Sequence, residues 1–104
     1  MKLDHIALCV DDIQESISWY QNRFNARVEY SDSTWAMLDI HGTHIALTLP
    51  REHPSHIAFN VDSFEGYVSE DVVGTHRDKS NYVYLKDPSG NTIELISYNL
   101  KRPL

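Results

Sequence analysis

Residues 3–11 have the sequence LDHIALCVD, and a similar stretch, PSHIAFNVD, occupies residues 54–62. Six of the nine positions are identical or exchange one apolar residue for another. In both stretches bulky apolar residues alternate with a histidine and small residues, which is typical of a strand with two unlike faces. An internal repeat reveals the architecture before the details of its elements are known. The pattern predicts two copies of one module, each beginning with such a strand.

The residues that follow the first copy predict a helix. Asp11 or Asp12 can cap its start, because a short acidic side chain accepts hydrogen bonds from the first backbone amides of a helix. The apolar residues of this segment recur at helical spacing and are Ile13, Ile17, Tyr20 and Phe24. We expect this apolar stripe to pack on a sheet.

Short apolar runs at residues 26–30, 34–40 and 43–49 predict three more strands and complete a β-α-β-β-β module. His41-Gly42 predicts a tight hairpin between the last two of these strands. Residues 50–54 are charged and bracketed by prolines, which indicates a linker.

The second module is predicted to repeat this order in compressed form. Residues 63–70 leave room for about two helical turns, and residues 72–76 for a short strand. The predicted fold is therefore α+β: two βαβββ modules, at residues 1–49 and 55–104, lie in a pseudo-twofold arrangement. Together they form a curved mixed sheet around a groove.

The segment DPSGNTIELI, at residues 87–96, predicts a tight turn followed by the last strand. Pro88 presets φ for the turn and Gly90 or Asn91 can adopt a positive φ. Side-chain alternation places Glu94 on the face opposite Ile93 and Leu95. A glutamate in a strand is usually exposed, and a buried one needs a partner.

Two histidines are candidate partners for this glutamate. His5 and His56 are equivalent in the repeat, and each shares a strand face with small residues, as expected for the wall of a groove. A single histidine in such a place is more often a core or surface residue, but the repeat favours a functional pair. Two neutral imidazoles and one carboxylate form a facial triad that binds a divalent metal and leaves positions open for substrate. We therefore predict one metal site made by His5, His56 and Glu94.

Composition limits the classes of partner. The chain has 104 residues, a net charge of -6 and a pI near 5.3, which suits one domain and argues against nucleic acid or an anionic membrane. Cys9 is the only cysteine, so no disulfide forms within the chain. The longest early apolar run, Ile6 to Val10, is too short to span a bilayer. We expect a cytoplasmic protein with a small-molecule substrate.

The chain resembles the vicinal oxygen chelate superfamily, which includes glyoxalase I, extradiol dioxygenases, fosfomycin-resistance enzymes, methylmalonyl-CoA epimerase and bleomycin-binding proteins. The resemblance rests on the two His-Ile-Ala stretches, on Trp19-Tyr20 of the helix, and on the 87–95 segment. It implies the same metal ligands, His5, His56 and Glu94, and a homodimer. Glyoxalase I and the epimerase take a fourth ligand from the position that is Ala46 here. The fosfomycin enzymes have a threonine where this chain has Ala7.

In site residues the chain is most similar to the extradiol dioxygenases. That resemblance implies active-site roles for Tyr84, ten residues before the ligand glutamate, for His44 on the fourth strand, and for His76 before the seventh. The competing interpretation, which base rates favour, is a packed wall residue for Tyr84, an exposed strand residue for His44 and a loop residue for His76. His41 and His53 are interpreted as surface residues.

Two hypotheses about function follow. The first is a divalent-metal-dependent enzyme, a dioxygenase, lyase or isomerase, that chelates two vicinal oxygens of its substrate while His44 or Tyr84 moves protons. The second is a metal-free small-molecule binding protein of the bleomycin-resistance kind. Retention of all three ligand positions favours the enzyme. The sequence leaves open the substrate and the choice among Fe, Mn, Zn and Ni.

Overall fold

A computed structural model describes residues 1–68, 73–76 and 80–98. These residues form eight strands and one helix: β1 (Lys2–Cys9), α1 (Ile13–Phe24), β2 (Arg27–Ser31), β3 (Trp35–Ile40), β4 (Thr43–Thr48), β5 (His56–Asn60), β6 (Gly74–Thr75), β7 (Asn81–Lys86) and β8 (Thr92–Ser97). The chain divides into two units, which we call the first unit (residues 5–56) and the second unit (residues 57–104 with residues 1–4). None of the helical structure in the described ranges is long and apolar enough to cross a membrane.

The first unit contains a mixed sheet in the order β2-β3-β4-β1. β2 pairs with β3 and β3 with β4 in antiparallel fashion, whereas β1 runs parallel to β4 with Ile6 opposite Ile45. The predicted hairpin between β3 and β4 is confirmed. His41 and Gly42 have φ values of 51° and 91°, so the two turn residues have the left-handed backbone that a two-residue hairpin needs.

Helix α1 begins after Asp12, whose side chain accepts a hydrogen bond from the Glu15 amide at 2.9 Å. Of the two predicted caps, Asp12 is therefore the one used. The helix ends at Asn25, which adopts a left-handed conformation with φ 55° and closes the last turn. Phe24, the last residue of the apolar stripe predicted for the helix, is 45% exposed and therefore lies outside the core.

The core of the first unit lies between α1 and one face of its sheet. The buried members of this core are Ile13, Ile17, Ala26, Ala36, Leu38, Leu47 and Leu49, with Leu8 and Val10 packed against them. Because side chains alternate along β1, Leu8 packs on this core while His5 and Ala7 lie on the other face of the strand. Helix α1 thus covers the apolar face of the sheet, whereas His5 and Ala7 of β1 lie on the opposite face.

Asp32 holds the loop between β2 and β3. Its carboxylate accepts hydrogen bonds from the amides of Thr34 and Trp35 and from the hydroxyl groups of Tyr30 and Thr34. The Tyr30 hydroxyl, followed by the backbone amides, holds the pKa of Asp32 well below its usual range. The ionised carboxylate is therefore the form that stabilises this loop.

We predict that Asp32→Asn lowers the melting temperature at neutral pH, because a neutral amide accepts these hydrogen bonds less strongly. Since the pKa of Asp32 is lower in the folded state, its contribution is present above the ordinary aspartate value of 3.8 and is lost as pH falls below it. The difference between wild type and variant in thermal melts should shrink over that range. The exposed Asp62→Asn serves as the control, and a difference that grows on acidification would contradict the prediction.

The second unit contains the strand order β5-β8-β7-β6, of which β5 contributes residues 57–60. β7 and β8 are antiparallel, and Tyr84 stands directly opposite Glu94. The turn that joins them agrees with the prediction: the Gly90 amide donates to the Asp87 carbonyl at 3.0 Å, and Gly90 has φ 86°. The Asp87 side chain further accepts from the amides of Ser89 and Asn91. A small core of Val61, Phe64, Val83 and Leu95 supports the strands.

The helix predicted over residues 63–70 is wrong for residues 63–68. These residues form a turn, in which the amides of Tyr67 and Val68 both donate to the Phe64 carbonyl. Gly66 has φ 84°, and a left-handed residue cannot continue a right-handed helix. Of the strand predicted over 72–76, Gly74–Thr75 forms β6, and residue 72 lies outside the described residues. Strands with one helix agree with the α+β class, whereas the pseudo-twofold arrangement of two βαβββ modules stays a prediction.

Candidate metal centre

Burial distinguishes a few metal-ligating side chains from the rest. Among the histidine, cysteine, aspartate and glutamate residues that the structure describes, those that are buried are His5, His56 and Glu94, with exposures of 8%, 8% and 1%. They are also the three residues that the sequence predicts as ligands. Buried ionisable groups are costly unless they are paired or bind an ion, so these positions are the candidates for a metal centre.

The two histidines lie side by side in the first unit. Their ring centroids are 5.5 Å apart and the rings meet edge to face at 74°. His5 comes from the middle of β1 and His56 from the first position of β5, so residues 51 positions apart in the chain form one pair. The repeat in the sequence predicted that these two residues are equivalent, and the structure places their rings in contact.

The tautomer of His56 follows from its backbone contact. Its Nδ1 lies 2.7 Å from the carbonyl oxygen of Pro54. A carbonyl only accepts hydrogen bonds, so Nδ1 carries the proton and Nε2 carries the lone pair in the neutral ring. Metal-binding histidines are commonly oriented by such a bond from the other ring nitrogen. His56 is therefore held in the form that a metal ligand requires.

Glu94 lies at the centre of β8 in the second unit, where its carboxylate is hydrogen-bonded to His76. The His76 Nε2 is 2.7 Å from the Glu94 Oε2. An ionised carboxylate only accepts, so the imidazole donates. The partner expected for a buried Glu94 is thus present. It is His76, to which the resemblance to extradiol dioxygenases assigns an active-site role.

His76 is in turn supported by Tyr82 and Gly74. The His76 and Tyr82 rings are stacked, with centroids 3.8 Å apart and an angle of 14° between their planes. Gly74 pairs with Tyr82 across β6 and β7, and a Cβ atom at residue 74 would lie 2.8 Å from the Tyr82 Cζ. Neither Tyr82 nor Gly74 was identified from the sequence, because a contact between neighbouring strands leaves no periodic signal in the sequence.

Tyr84 lies beside Glu94 on the neighbouring strand. Burial, followed by the negative charge of Glu94, raises the pKa of Tyr84 above its usual range. Its hydroxyl therefore stays protonated at neutral pH and can donate a hydrogen bond, whereas a phenolate that removes protons is disfavoured. An active-site role for Tyr84 stays a prediction.

His44 lies in a different environment, among charged groups of its own sheet. Its Nε2 is 3.3 Å from the Glu29 carboxylate and 3.9 Å from Asp39, and its side chain is 40% exposed. Arg27 contacts the same two carboxylates, at 3.0 Å from Asp39 and 3.4 Å from Glu29. The Gly42 amide, followed by the Arg27 charge, lowers the pKa of Asp39. The structure thus places His44 in a surface ion-pair cluster, and its catalytic role stays a prediction.

The chain belongs to the Glyoxalase/Bleomycin resistance protein/Dioxygenase superfamily, whose profile matches residues 2–95. This agrees with the superfamily resemblance identified in the sequence. The nearness to the extradiol dioxygenases within that superfamily stays a prediction.

Particular relatives narrow the comparison. The chain is 33% identical to the metallothiol transferase FosB of Staphylococcus epidermidis, over 95% of this chain and 83% of that protein. It is 27% identical to the FosB of Lysinibacillus sphaericus, over 88% and 79% of the two chains. Among solved structures, methylmalonyl-CoA epimerase from Mycobacterium tuberculosis superposes with a TM-score of 0.68 at 18% identity, covering 92% of this chain and 87% of that one. At that identity the epimerase supports the fold alone.

Proposed function

We propose that this protein is a metal-dependent enzyme, in which His5, His56 and Glu94 bind one divalent ion that holds a small-molecule substrate through two neighbouring oxygen atoms. The observation that carries the proposal is the selective burial of these three side chains among the metal-ligating residues of the described chain. Membership of the superfamily supports it, as does the name metallothiol transferase of two relatives.

The donor set fits a divalent transition metal. The three residues offer two imidazole nitrogens and one carboxylate oxygen, a set that suits Fe, Mn, Zn or Ni better than calcium or magnesium. The bond from His56 Nδ1 to Pro54 leaves Nε2 as the ligand atom. When bound, the ion would act as a Lewis acid and orient the substrate oxygens.

The residues around Glu94 define what the chain itself can contribute. Tyr84 faces Glu94 across β7 and β8 and keeps its proton, so it can donate a hydrogen bond to an oxygen of the substrate. His76 is engaged with the Glu94 carboxylate at 2.7 Å. Neither contact requires another subunit, although a homodimer remains our expectation for the assembly.

The first candidate reaction is group transfer to or from a thiol, which the names of the two relatives suggest. The second is oxidative cleavage of a catechol. It is favoured by one observation, namely that Tyr84 and His76, to which the resemblance to extradiol dioxygenases assigns active-site roles, both lie beside Glu94. A metal-free binding protein is the alternative outcome of the tests below.

We predict that the protein purified without chelator contains about one equivalent of a transition metal, and that His5→Ala contains none, because a triad without one ligand binds weakly. Elemental analysis measures this directly. The matched control is His41→Asn: His41 is an exposed histidine with φ 51°, and asparagine tolerates that backbone. Equal metal in wild type and His5→Ala, or none in wild type after reconstitution, would contradict the proposal.

The reaction class can then be decided with the reconstituted protein. Loss of free thiol in the presence of an electrophilic substrate would support group transfer. Oxygen uptake after anaerobic loading with Fe(II), with appearance of a yellow ring-fission product from a catechol panel, would support dioxygenase activity. Neither reaction, together with tight metal-independent binding of a small molecule, would favour the binding protein.

A further inference from the structure

We propose that His76 is a positioning residue for Glu94, and that Tyr82 and Gly74 position His76 in turn. The inference rests on the proposed metal function and deepens it, because it assigns three residues outside the ligand set a role in metal affinity. The proposal predicts how substitutions at residues 74, 76 and 82 change the affinity for the metal.

The contact between His76 and Glu94 is the first step. Glu94 is 1% exposed, so water cannot solvate its charge, and the His76 Nε2–H donates to Oε2 at 2.7 Å. A charge-assisted bond of this length fixes the rotation of the carboxylate about its last side-chain torsion. A ligand whose rotation is fixed in advance loses less entropy when it binds an ion.

The second step is the orientation of the imidazole. A histidine ring can rotate about its terminal torsion, which has broad minima. Stacking on Tyr82, at 3.8 Å and 14°, restricts that rotation to one plane. Nε2 is thereby directed at Glu94, and Tyr82 contributes to the ligand geometry through its contact with His76.

The third step concerns Gly74 and the space that its missing side chain leaves for Tyr82. A Cβ at residue 74 would lie 2.8 Å from Tyr82 Cζ, 2.9 Å from Cε1 and 3.0 Å from the hydroxyl oxygen. The Tyr82 ring thus packs directly on the backbone of Gly74 in β6. Any side chain at residue 74 would displace this ring. Because the ring also stacks on His76, the displacement passes to the residue that orients Glu94.

The test separates the hydrogen bond from the ring. His76→Phe keeps an aromatic ring for stacking but has no donor, whereas His76→Gln has an amide donor and no ring. Zn²⁺ affinity of the full chain is measured by competition with a chromophoric chelator, and circular dichroism confirms folding. Loss of an outer-shell partner typically lowers metal affinity by ~10- to 100-fold, so we expect that loss in His76→Phe and a smaller one in His76→Gln. Gly74→Ala should also weaken binding, and His41→Asn should not.

Each outcome has a definite meaning. Wild-type protein that binds none of Zn²⁺, Fe²⁺, Mn²⁺ and Ni²⁺ would refute the proposed metal function itself. Wild-type binding with unchanged affinity in His76→Phe would overturn only the positioning role, and equal losses in His76→Phe and His76→Gln would overturn the role of the donor. If His76→Phe does not fold, nitrogen-15 NMR of the wild type decides: a slowly exchanging Nε2–H on His76 is expected, and its absence contradicts the hydrogen bond.

Discussion

Glu94→Gln should lower the affinity for a divalent metal by more than the ~10- to 100-fold that follows loss of an outer-shell partner, because it removes the negative charge of a ligand. Glutamine has nearly the same shape but only one oxygen, so if that oxygen accepts the His76 Nε2–H, the amide NH2 group takes the place of the ligand oxygen. The variant therefore removes both the charge and a ligand oxygen while the packing is preserved. Glu94 is buried at 1% exposure, and a charge in such surroundings interacts strongly with an ion.

Zn²⁺ titration of the apoprotein measures this effect, with the fold checked by circular dichroism. Glu65→Gln provides the matched control, since Glu65 is an exposed glutamate of the same unit. A Glu94→Gln variant that binds zinc as tightly as wild type would exclude Glu94 from the ligand set, and the proposed enzyme would then require another third ligand.

Leu38→Ala should lower the free energy of unfolding by ~2–5 kcal/mol, because it removes buried methyl groups and leaves a cavity. Leu38 has no exposed surface and lies at the centre of β3, opposite Ile45 of β4, in the core beneath α1. The loss is a large part of the ~5–15 kcal/mol that stabilises a typical domain. In a chain of this size it corresponds to a melting temperature lower by roughly 10 °C or more.

Thermal and urea denaturation followed by circular dichroism test this prediction. The control is Leu3→Ala, because Leu3 is 48% exposed and its truncation removes few contacts. A change below about 1 kcal/mol for Leu38→Ala would mean that the helix and the sheet do not form the close-packed core described for the first unit. The same measurement in metal-saturated protein would show how much stability the ion adds by mass action.

The repeat identified the strands and their faces because alternation of side chains is a local property. Ile6 and Leu8 differ from His5 and Ala7 in size and polarity, and this difference is visible in the chain before it folds. The Asp12 cap, the His41-Gly42 hairpin and the 87–91 turn were predicted for the same reason, since each depends on the conformational preferences of two to five adjacent residues. Residues 63–68 do not form the predicted helix, because Gly66 adopts φ 84° and a right-handed helix cannot continue through such a residue.

The sequence by itself determined which residues are candidate ligands, since the repeat and the position of Glu94 in its strand depend on order along the chain. Only the tertiary structure decided what surrounds them. It paired His76 with Glu94 across 18 residues, stacked Tyr82 on His76, and placed His44 with Glu29 and Arg27. These contacts join residues on different elements, and their geometry depends on register and packing. A pattern along one chain records which residues share a face, but it does not record which residue of the neighbouring strand each one meets.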